Sequence, residues 1–179
     1  MIAGTIFLLA VVAVAAGYLL GGGPGTYSGN GVRFQYPGGW GRMEETSFAA
    51  STGTSLLSQG FGPGEEASLV IVAAFGLQAD ASDVPTEQIR AEIDASLDDL
   101  VAQAGGTREG PLGRAKLGAL DAYQAKITAK APGGQAVESR LVFAFDGRTQ
   151  YFLNCQYEPD MQSEILDGCD QIQSTFDVT

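Results

Sequence analysis

Two cysteines constrain the fold of this chain more than any other feature. Cys155 lies near the end of a predicted strand, and Cys169 lies on a predicted helix that follows it. Cys155 is among the inward-facing residues of the strand and Cys169 is within the apolar stripe of the helix, so the two thiols are expected to meet. A disulfide would close a loop of about fifteen residues and stabilise the fold by roughly 3 kcal/mol. Two buried free thiols are the alternative.

Length and composition bound the class of protein. The chain has 179 residues, of which 45% are hydrophobic, enough for one packed domain with extensions. Ten basic against twenty-one acidic side chains give a net charge of −11. Nucleic acids and anionic lipid headgroups are bound through Lys and Arg. The charge balance therefore disfavours nucleic acid as a partner.

The beginning of the chain is apolar. Ile2 to Leu20 contains no charged side chain, and a helix of this length would span about 28 Å, close to the thickness of the hydrocarbon core of a bilayer. We interpret this run as an uncleaved anchor in the lipid bilayer, where Ala10, Ala13 and Gly17 could pack against other helices. The alternatives are a signal peptide cleaved near residues 13–15 and a buried helix of a soluble domain.

Segment boundaries follow from this interpretation. We assign residues 1–20 to the transmembrane anchor or signal segment, residues 21–26 to a glycine-rich spacer and residues 27–179 to the folded domain. Disulfides persist outside the cytosol. A bridge between Cys155 and Cys169 would therefore place the C-terminal domain on the extracytoplasmic side of a cell membrane that the chain crosses once.

One strand and a long loop are predicted before residue 68. Val32, Phe34 and Tyr36 alternate with polar residues, which is typical of a half-buried strand. Residues 42–67 are rich in Ser, Thr and Gly and predict a loop with at most one short strand, near Phe48.

Four apolar residues in and before this loop are candidate contacts with a partner or ligand: Trp40, Leu56, Leu57 and Phe61. Exposed together, they would form a binding patch. The alternative is burial, with Trp40 in the core or at its rim and the other three beneath the loop.

The remainder of the domain alternates strands with two helices. Leu69 to Phe75 is a short continuous apolar run, typical of a central strand buried on both faces. Apolar residues at spacings of three and four predict a helix from about Pro85 to Ala104. Three more strands and a last helix are predicted, with these bounds: Tyr123–Lys130, Val137–Phe145, Thr149–Tyr157, and a helix from Pro159 with the stripe Met161, Ile165, Cys169, Ile172 and Phe176.

A two-residue turn at Asp146-Gly147 is predicted between the last two strands. It would pair Phe145 with Arg148 and Val142 with Tyr151. Both faces of this hairpin are apolar near the turn, so both faces need a covering layer.

Two sequence stretches and the order of the elements carry a resemblance. One stretch is Phe34-Gln35-Tyr36-Pro37-Gly38-Gly39-Trp40, and the other is Tyr151-Phe152-Leu153-Asn154-Cys155 leading to Cys169-Asp170-Gln171-Ile172 and Phe176. Over about residues 27–178 the chain resembles the PsbP-like fold family, which includes bacterial lipoproteins and membrane-anchored proteins. The resemblance implies an α+β fold in which an antiparallel β-sheet is sandwiched between helices, here preceded by one N-terminal transmembrane helix. It also implies a binding or accessory role on larger assemblies.

Side chains for catalysis or metal binding are few. The chain has no histidine, which excludes Ser-His-Asp and Cys-His nucleophiles, and it contains no phosphate-binding loop or serine elbow. Two thiols with carboxylates are a poor set of zinc ligands. Acidic residues of the first predicted helix, such as Asp94, Asp98 and Asp99, are typical of a solvated face. We expect no catalytic residue, no metal and no cofactor.

Two functions from different classes fit these observations. We expect a non-catalytic, membrane-anchored extracytoplasmic binding or accessory domain that docks on a larger membrane or envelope protein complex. The alternative is a carrier of a small apolar ligand, such as a lipid, in a cleft between helix and sheet, with Leu56, Leu57 and Phe61 beside it.

Overall fold

Strands dominate the domain. A computed structural model describes residues 23–43, 54–64, 68–130 and 134–179. Short 3₁₀ turns, Ala81–Asp83 and Pro159–Met161, precede the helices. In chain order the elements are β1 (Gly25–Gly29), β2 (Val32–Tyr36), β3 (Gly41–Met43), β4 (Thr54–Gly62), β5 (Leu69–Gly76), α1 (Thr86–Gln103), β6 (Thr107–Leu117), β7 (Leu120–Lys130), β8 (Ala136–Asp146), β9 (Thr149–Tyr157), α2 (Gln162–Thr175) and β10 (Asp177–Val178).

The strands form two antiparallel sheets. The larger sheet has the order β3-β4-β5-β9-β8-β7-β6, and the smaller has the order β1-β2-β10. Strand β5 lies inside the larger sheet, and its residues Leu69–Phe75 are each exposed by 1% or less. The prediction of a strand buried on both faces is confirmed, because a continuous apolar run suits a strand covered on each side.

Helix α1 covers one face of the larger sheet. Ile93 and Leu97 are fully buried against a layer of sheet side chains. The helix begins after Pro85 and ends before Gly105, which has a positive φ of 58°, so the predicted bounds are confirmed. The sheet residues beneath this face are Ala73, Phe75, Leu112, Ala125, Ile127, Leu141, Phe143 and Phe152.

Helix α2 and the smaller sheet together cover the opposite face. Ile165, Cys169 and Ile172 of α2 are fully buried, and Val32 and Phe34 of β2 belong to the same core cluster. An antiparallel sheet sandwiched between helices is therefore present, as the resemblance implied. The smaller sheet lies in the same covering layer as α2 and was not part of the predicted architecture.

The two cysteines form a disulfide. Cys155 on β9 and Cys169 on α2 are bonded, with 6.0 Å between their Cα atoms, and both are fully buried. The predicted pairing is confirmed. The bond joins the last helix to the middle of the larger sheet.

The smaller sheet was not expected from the sequence. Strand β1 begins at Gly25, inside the segment interpreted as a spacer, and pairs with β2 across the turn Asn30-Gly31. Both turn residues have positive φ, 52° and 76°, as a two-residue hairpin of this type requires. The C-terminal residues of β10 then pair with the other edge of β2.

Two further strands correct the sequence interpretation. Residues 54–62 form β4 rather than a loop, although Ser and Gly dilute its apolar pattern. Strand β6 was missed because Gly110, Pro111 and Gly113 usually interrupt strands. These residues lie at an irregularity in pairing between Glu109 and Gly113, where a bulge accommodates them.

The β8–β9 hairpin has a register different from the predicted one. Phe145 pairs with Gln150 rather than Arg148, and Val142 pairs with Leu153 rather than Tyr151. The turn is formed by Gly147 and Arg148, with Asp146 still paired to Thr149. Because the difference is two residues, every side chain remains on its predicted face.

The predicted anchor, with Ala10, Ala13 and Gly17, lies outside the described residues. Within the described ranges, no helix combines the length and apolar character needed to span a membrane.

Candidate binding cleft

A column of stacked aromatic rings runs outward from the core on the α2 side. The ring centres of Phe176 and Phe34 are 6.1 Å apart with an interplanar angle of 10°, and those of Phe34 and Tyr27 are 5.0 Å apart at 19°. The Cζ atom of Arg42 lies 5.1 Å from the centre of the Tyr27 ring. The guanidinium of Arg42 therefore caps the column through a cation–π contact.

A buried glutamine fixes the orientation of Arg42. The Nε–H of Arg42 donates a hydrogen bond to Oε1 of Gln59, a side chain only 6% exposed. The Nε2 of Gln59 donates in turn to the carbonyl oxygen of Ser58, at 2.8 Å. In the described part of the chain, Arg42 makes no ion pair and its terminal nitrogens donate no hydrogen bond.

A polar cleft opens beside this guanidinium. Its volume is about 390 Å³, within the size range of small-molecule and peptide side-chain pockets. Asn30, at the β1–β2 turn, closes one side, and its Nδ2 donates to the carbonyl oxygen of Leu56 at 2.9 Å. The lining residues are Tyr27, Asn30, Arg42, Ser55, Leu56, Leu57, Ser58 and Gln59.

Leu56 stands at the rim of the cleft because of a β-bulge. Ser55 pairs with Phe75 and Leu57 pairs with Ala74, so Leu56 is an extra residue without a partner on β5. Its side chain is 44% exposed, and it is the one exposed large hydrophobic side chain among the described residues. Bulges re-aim side chains and are frequent beside functional sites.

The other three candidate contact residues are in the core. Trp40 is 4% exposed, Leu57 3% and Phe61 0%. Leu57 and Phe61 belong to a strand whose inward side chains face α2 and the smaller sheet, and Trp40 packs against α2 at Gly168. The four residues therefore do not form one exposed patch. A contact role for Leu56 stays a prediction.

Sequence reasoning named Leu56 and Leu57 of the cleft lining but missed its polar residues, above all Arg42 and Asn30. Arg42 is one of only three basic residues before position 108, in an acidic chain, which marks it as unusual. The Asn30-Gly31 dipeptide is a hairpin signal that would have placed Asn30 at a turn. No sequence signal joins Asn30 to Leu56, because their contact spans twenty-six positions.

A charged network lies at the other end of the α2 face. The Nζ of Lys126 contacts carboxylate oxygens of Glu138 at 2.8 Å and Glu109 at 3.2 Å, and the hydroxyl of Tyr157 donates to Glu138 at 3.1 Å. The hydrogen bond from Lys126 lowers the pKa of Glu138, and the same bond raises the pKa of Lys126. Burial raises the pKa of Tyr157. These pairs join strands and are typical of structural ion pairs.

Two acidic residues of α1 also form structural ion pairs. Arg108 on β6 donates to Asp94 at 2.5 Å and lies 3.6 Å from Asp98. In the residues that the structure describes, no group of three or more His, Cys, Asp or Glu side chains is arranged to hold a metal ion. The cleft contains a cation, amides and hydroxyls, a set suited to binding a polar group by hydrogen bonds.

Comparisons with known proteins support the fold. No family model matches the chain, and no curated protein matches it in sequence. Cyanobacterial PsbP from Synechocystis aligns with a TM-score of 0.63 and 15% identity, covering 93% of this chain and 98% of its own. LpqN, involved in cell envelope biogenesis of Mycobacterium tuberculosis, aligns with a TM-score of 0.57 and 18% identity, covering 83% of each chain.

A crystal structure from Bacteroides thetaiotaomicron aligns with a TM-score of 0.55 and 16% identity. The alignment covers 88% of this chain but only 48% of the Bacteroides protein, so this chain spans about half of that protein's length. At these identities the likeness concerns the fold. The large antiparallel sheet between two helices and its structural neighbours give this chain a PsbP-like fold.

Proposed function

We propose that this chain is a non-catalytic, membrane-anchored extracytoplasmic accessory domain that docks on a larger membrane or envelope protein assembly. The observation that carries the proposal is the bulge at Leu56, which exposes an apolar side chain beside Arg42 and Tyr27. Arg and Tyr are enriched at protein interfaces, and their contacts often dominate binding. The docking face is then the edge of the larger sheet that carries the cleft.

Three observations support the envelope as the location. The buried disulfide suits an oxidising compartment. The apolar run from Ile2 to Leu20 has the length of a transmembrane helix. One protein of similar fold is involved in cell envelope biogenesis.

The content of the cleft supports binding over catalysis and a protein over an apolar ligand. Among the described residues, no carboxylate, thiol or imidazole lines it, so those residues offer no ordinary general acid or base. Its surface is mostly polar, whereas pockets for lipids are predominantly apolar. A docking role therefore fits this cleft better than the carriage of a lipid.

Co-purification tests the docking function. The full-length chain, purified from its native membrane in mild detergent after chemical cross-linking, is expected to retain one stoichiometric partner. The variant Leu56→Asp should lose that partner, because a charge replaces the apolar contact. The matched control Ala95→Asp adds the same charge on the exposed side of α1 and should retain it. Recovery of the wild-type chain alone, as a monomer, would contradict the proposal.

Protease accessibility tests the location. A C-terminal tag on the full-length chain should be removed by protease added to spheroplasts, in which only the inner membrane separates the protease from the cytosol, while the chain stays in the membrane fraction during alkaline extraction. A tag that is protected from external protease would place the domain in the cytosol.

A further inference from the structure

We infer that the cleft recognises a carboxylate of the docked partner, an Asp or Glu side chain next to an apolar residue, with Arg42 binding the carboxylate and Leu56 contacting the apolar neighbour. The inference rests on the proposed docking function and adds the chemistry of the partner's contact. Four features of the described residues carry it: the terminal nitrogens of one guanidinium make no hydrogen bond there, the orientation of the group is fixed, no described acid competes for it, and the cleft has a suitable size.

No described residue occupies the carboxylate-binding edge of the Arg42 guanidinium. Its Nε–H is used by Gln59, and both terminal nitrogens are without a hydrogen bond in the described part of the chain. Two parallel N–H donors match the two oxygens of a carboxylate. The Tyr27 ring on one side and Gln59 at Nε hold the plane of the group, so little side-chain entropy is lost on binding.

Three other basic side chains of the described residues are paired with acids. Arg108 pairs with Asp94, Arg140 with Asp170 and Lys126 with Glu138. In a chain with twenty-one acidic residues, Arg42 still has no carboxylate within 4.0 Å among the described residues. A partner's carboxylate would supply the counter-charge that the described residues do not.

The cleft is suited to a singly charged group. Arg42 is the only cation among the described lining residues, whereas phosphate carries more charge and is usually held by several donors and cations. A volume of about 390 Å³ accommodates roughly two side chains of a partner. Leu56 at the rim offers the apolar surface for the second one.

Nuclear magnetic resonance of the full-length chain in detergent micelles tests the inference. The probes are the capped dipeptides acetyl-Leu-Asp-amide and acetyl-Leu-Asn-amide, which differ only in the carboxylate, and inorganic phosphate. The Leu-Asp probe should shift the Arg42 Nε–H and Gln59 side-chain signals in a saturable manner. The Leu-Asn probe should bind at least about tenfold more weakly, since charge-assisted hydrogen bonds are about twice as strong as neutral ones.

Three variants locate the interaction. Arg42→Gln should abolish saturable binding, and Arg42→Lys should weaken it several-fold because it keeps the charge but not the fork. Arg33→Gln removes a cation from an exposed position on β2 and serves as the control, which should bind as the wild type does. Dispersed amide signals in each variant will show that it is folded, and Arg42→Lys keeps the test informative if Arg42→Gln does not fold.

Several results would overturn the inference: equal binding of both dipeptides, equal binding of phosphate, an equal loss in Arg33→Gln and Arg42→Gln, or no saturable shift at all. The docking function fails separately. If the protein recovers a partner from native membranes but does not bind the Leu-Asp probe, docking is supported and carboxylate recognition is contradicted. If the protein binds the Leu-Asp probe saturably but recovers no partner, carboxylate recognition is supported and docking is contradicted.

Discussion

The indole ring of Trp40 lies against the backbone of Gly168 on α2. A Cβ atom added at Gly168 would overlap the ring atoms Cη2, Cζ2 and Cζ3 of Trp40. The turn before the ring sets this approach, because the amide of Trp40 donates to the carbonyl oxygen of Pro37 at 3.3 Å and Gly39 has a positive φ of 83°. The Pro-Gly-Gly-Trp stretch thereby fixes how the chain between the two sheets meets the last helix.

Replacement of Gly168 by Ala is expected to destabilise the domain. Overpacking costs about 1–3 kcal/mol, and overlap with three ring atoms of Trp40 belongs to the upper half of that range. The better helix propensity of Ala, about 1 kcal/mol at most, therefore does not offset it. Urea unfolding measures the difference. The control Ser163→Ala, at an exposed position of the same helix, should change stability by less than about 0.5 kcal/mol. Equal stability of Gly168→Ala and wild type would contradict the close contact.

Reduction of the disulfide is expected to lower the free energy of unfolding by about 3 kcal/mol, because the reduced unfolded chain regains the entropy of a loop with a sequence separation of 14. Urea unfolding with and without reductant measures this loss. The double variant Cys155→Ala with Cys169→Ala should be insensitive to reductant. A wild-type transition that reductant does not move would argue against a stabilising bond.

Replacement of Asn154 by Val is expected to stabilise the domain by about 1 kcal/mol. Asn154 is fully buried between Ile71 and Leu141, and neither its side-chain oxygen nor its nitrogen has a hydrogen-bond partner among the described residues. An unpaired buried amide costs about 1–3 kcal/mol, so an apolar residue that suits strands should relieve it. Thermal and urea unfolding check the direction. Destabilisation by Val would mean that Asn154 has a polar partner in the native protein.

The Lys126–Glu138 pair predicts a pH dependence of stability. The pKa of Glu138 is lowered from its ordinary value of 4.5 by the hydrogen bond from Lys126, so the carboxylate stabilises the fold at pH values above 4.5. That contribution is lost as the pH falls through the lowered pKa. Glu138→Gln should therefore cost about 0.5–1 kcal/mol near neutral pH and progressively less in acid.

Urea unfolding of both proteins across an acidic pH series tests this dependence. The control Asp167→Asn removes an exposed acid of α2 for which no ion pair occurs in the described residues, so it controls for the loss of one negative charge. A difference for Glu138→Gln that is the same at neutral and acidic pH would contradict the ion pair.

Periodicity made the core predictable. The continuous run at Leu69–Phe75, the three-and-four spacing through Ile93 and Leu97, and the stripe through Cys169 each report burial on a definite face. A disulfide between Cys155 and Cys169 follows from two such faces. Even the incorrect hairpin register preserved the faces, because a strand repeats every two residues.

Local irregularity hid the elements of the candidate site. The bulge at Leu56 breaks the alternation that would have marked β4, and it is also what exposes that side chain. Strand β3 has only three residues, too few for a pattern around Arg42. The cleft also depends on contacts between segments that are distant in sequence, such as the hydrogen bond from Asn30 to Leu56. The residue types at the β1–β2 turn do not by themselves predict that contact.

Site-specific photo-cross-linking in the native membrane tests the docking face most directly. A photoreactive residue would replace Leu56 in the full-length chain, and Ala95, exposed on α1, would be replaced in a separate control. The proposed function predicts one discrete adduct with a single protein from position 56 and none from position 95. No adduct at position 56, or the same adducts from both positions, would contradict docking through the edge that carries Leu56 and Arg42.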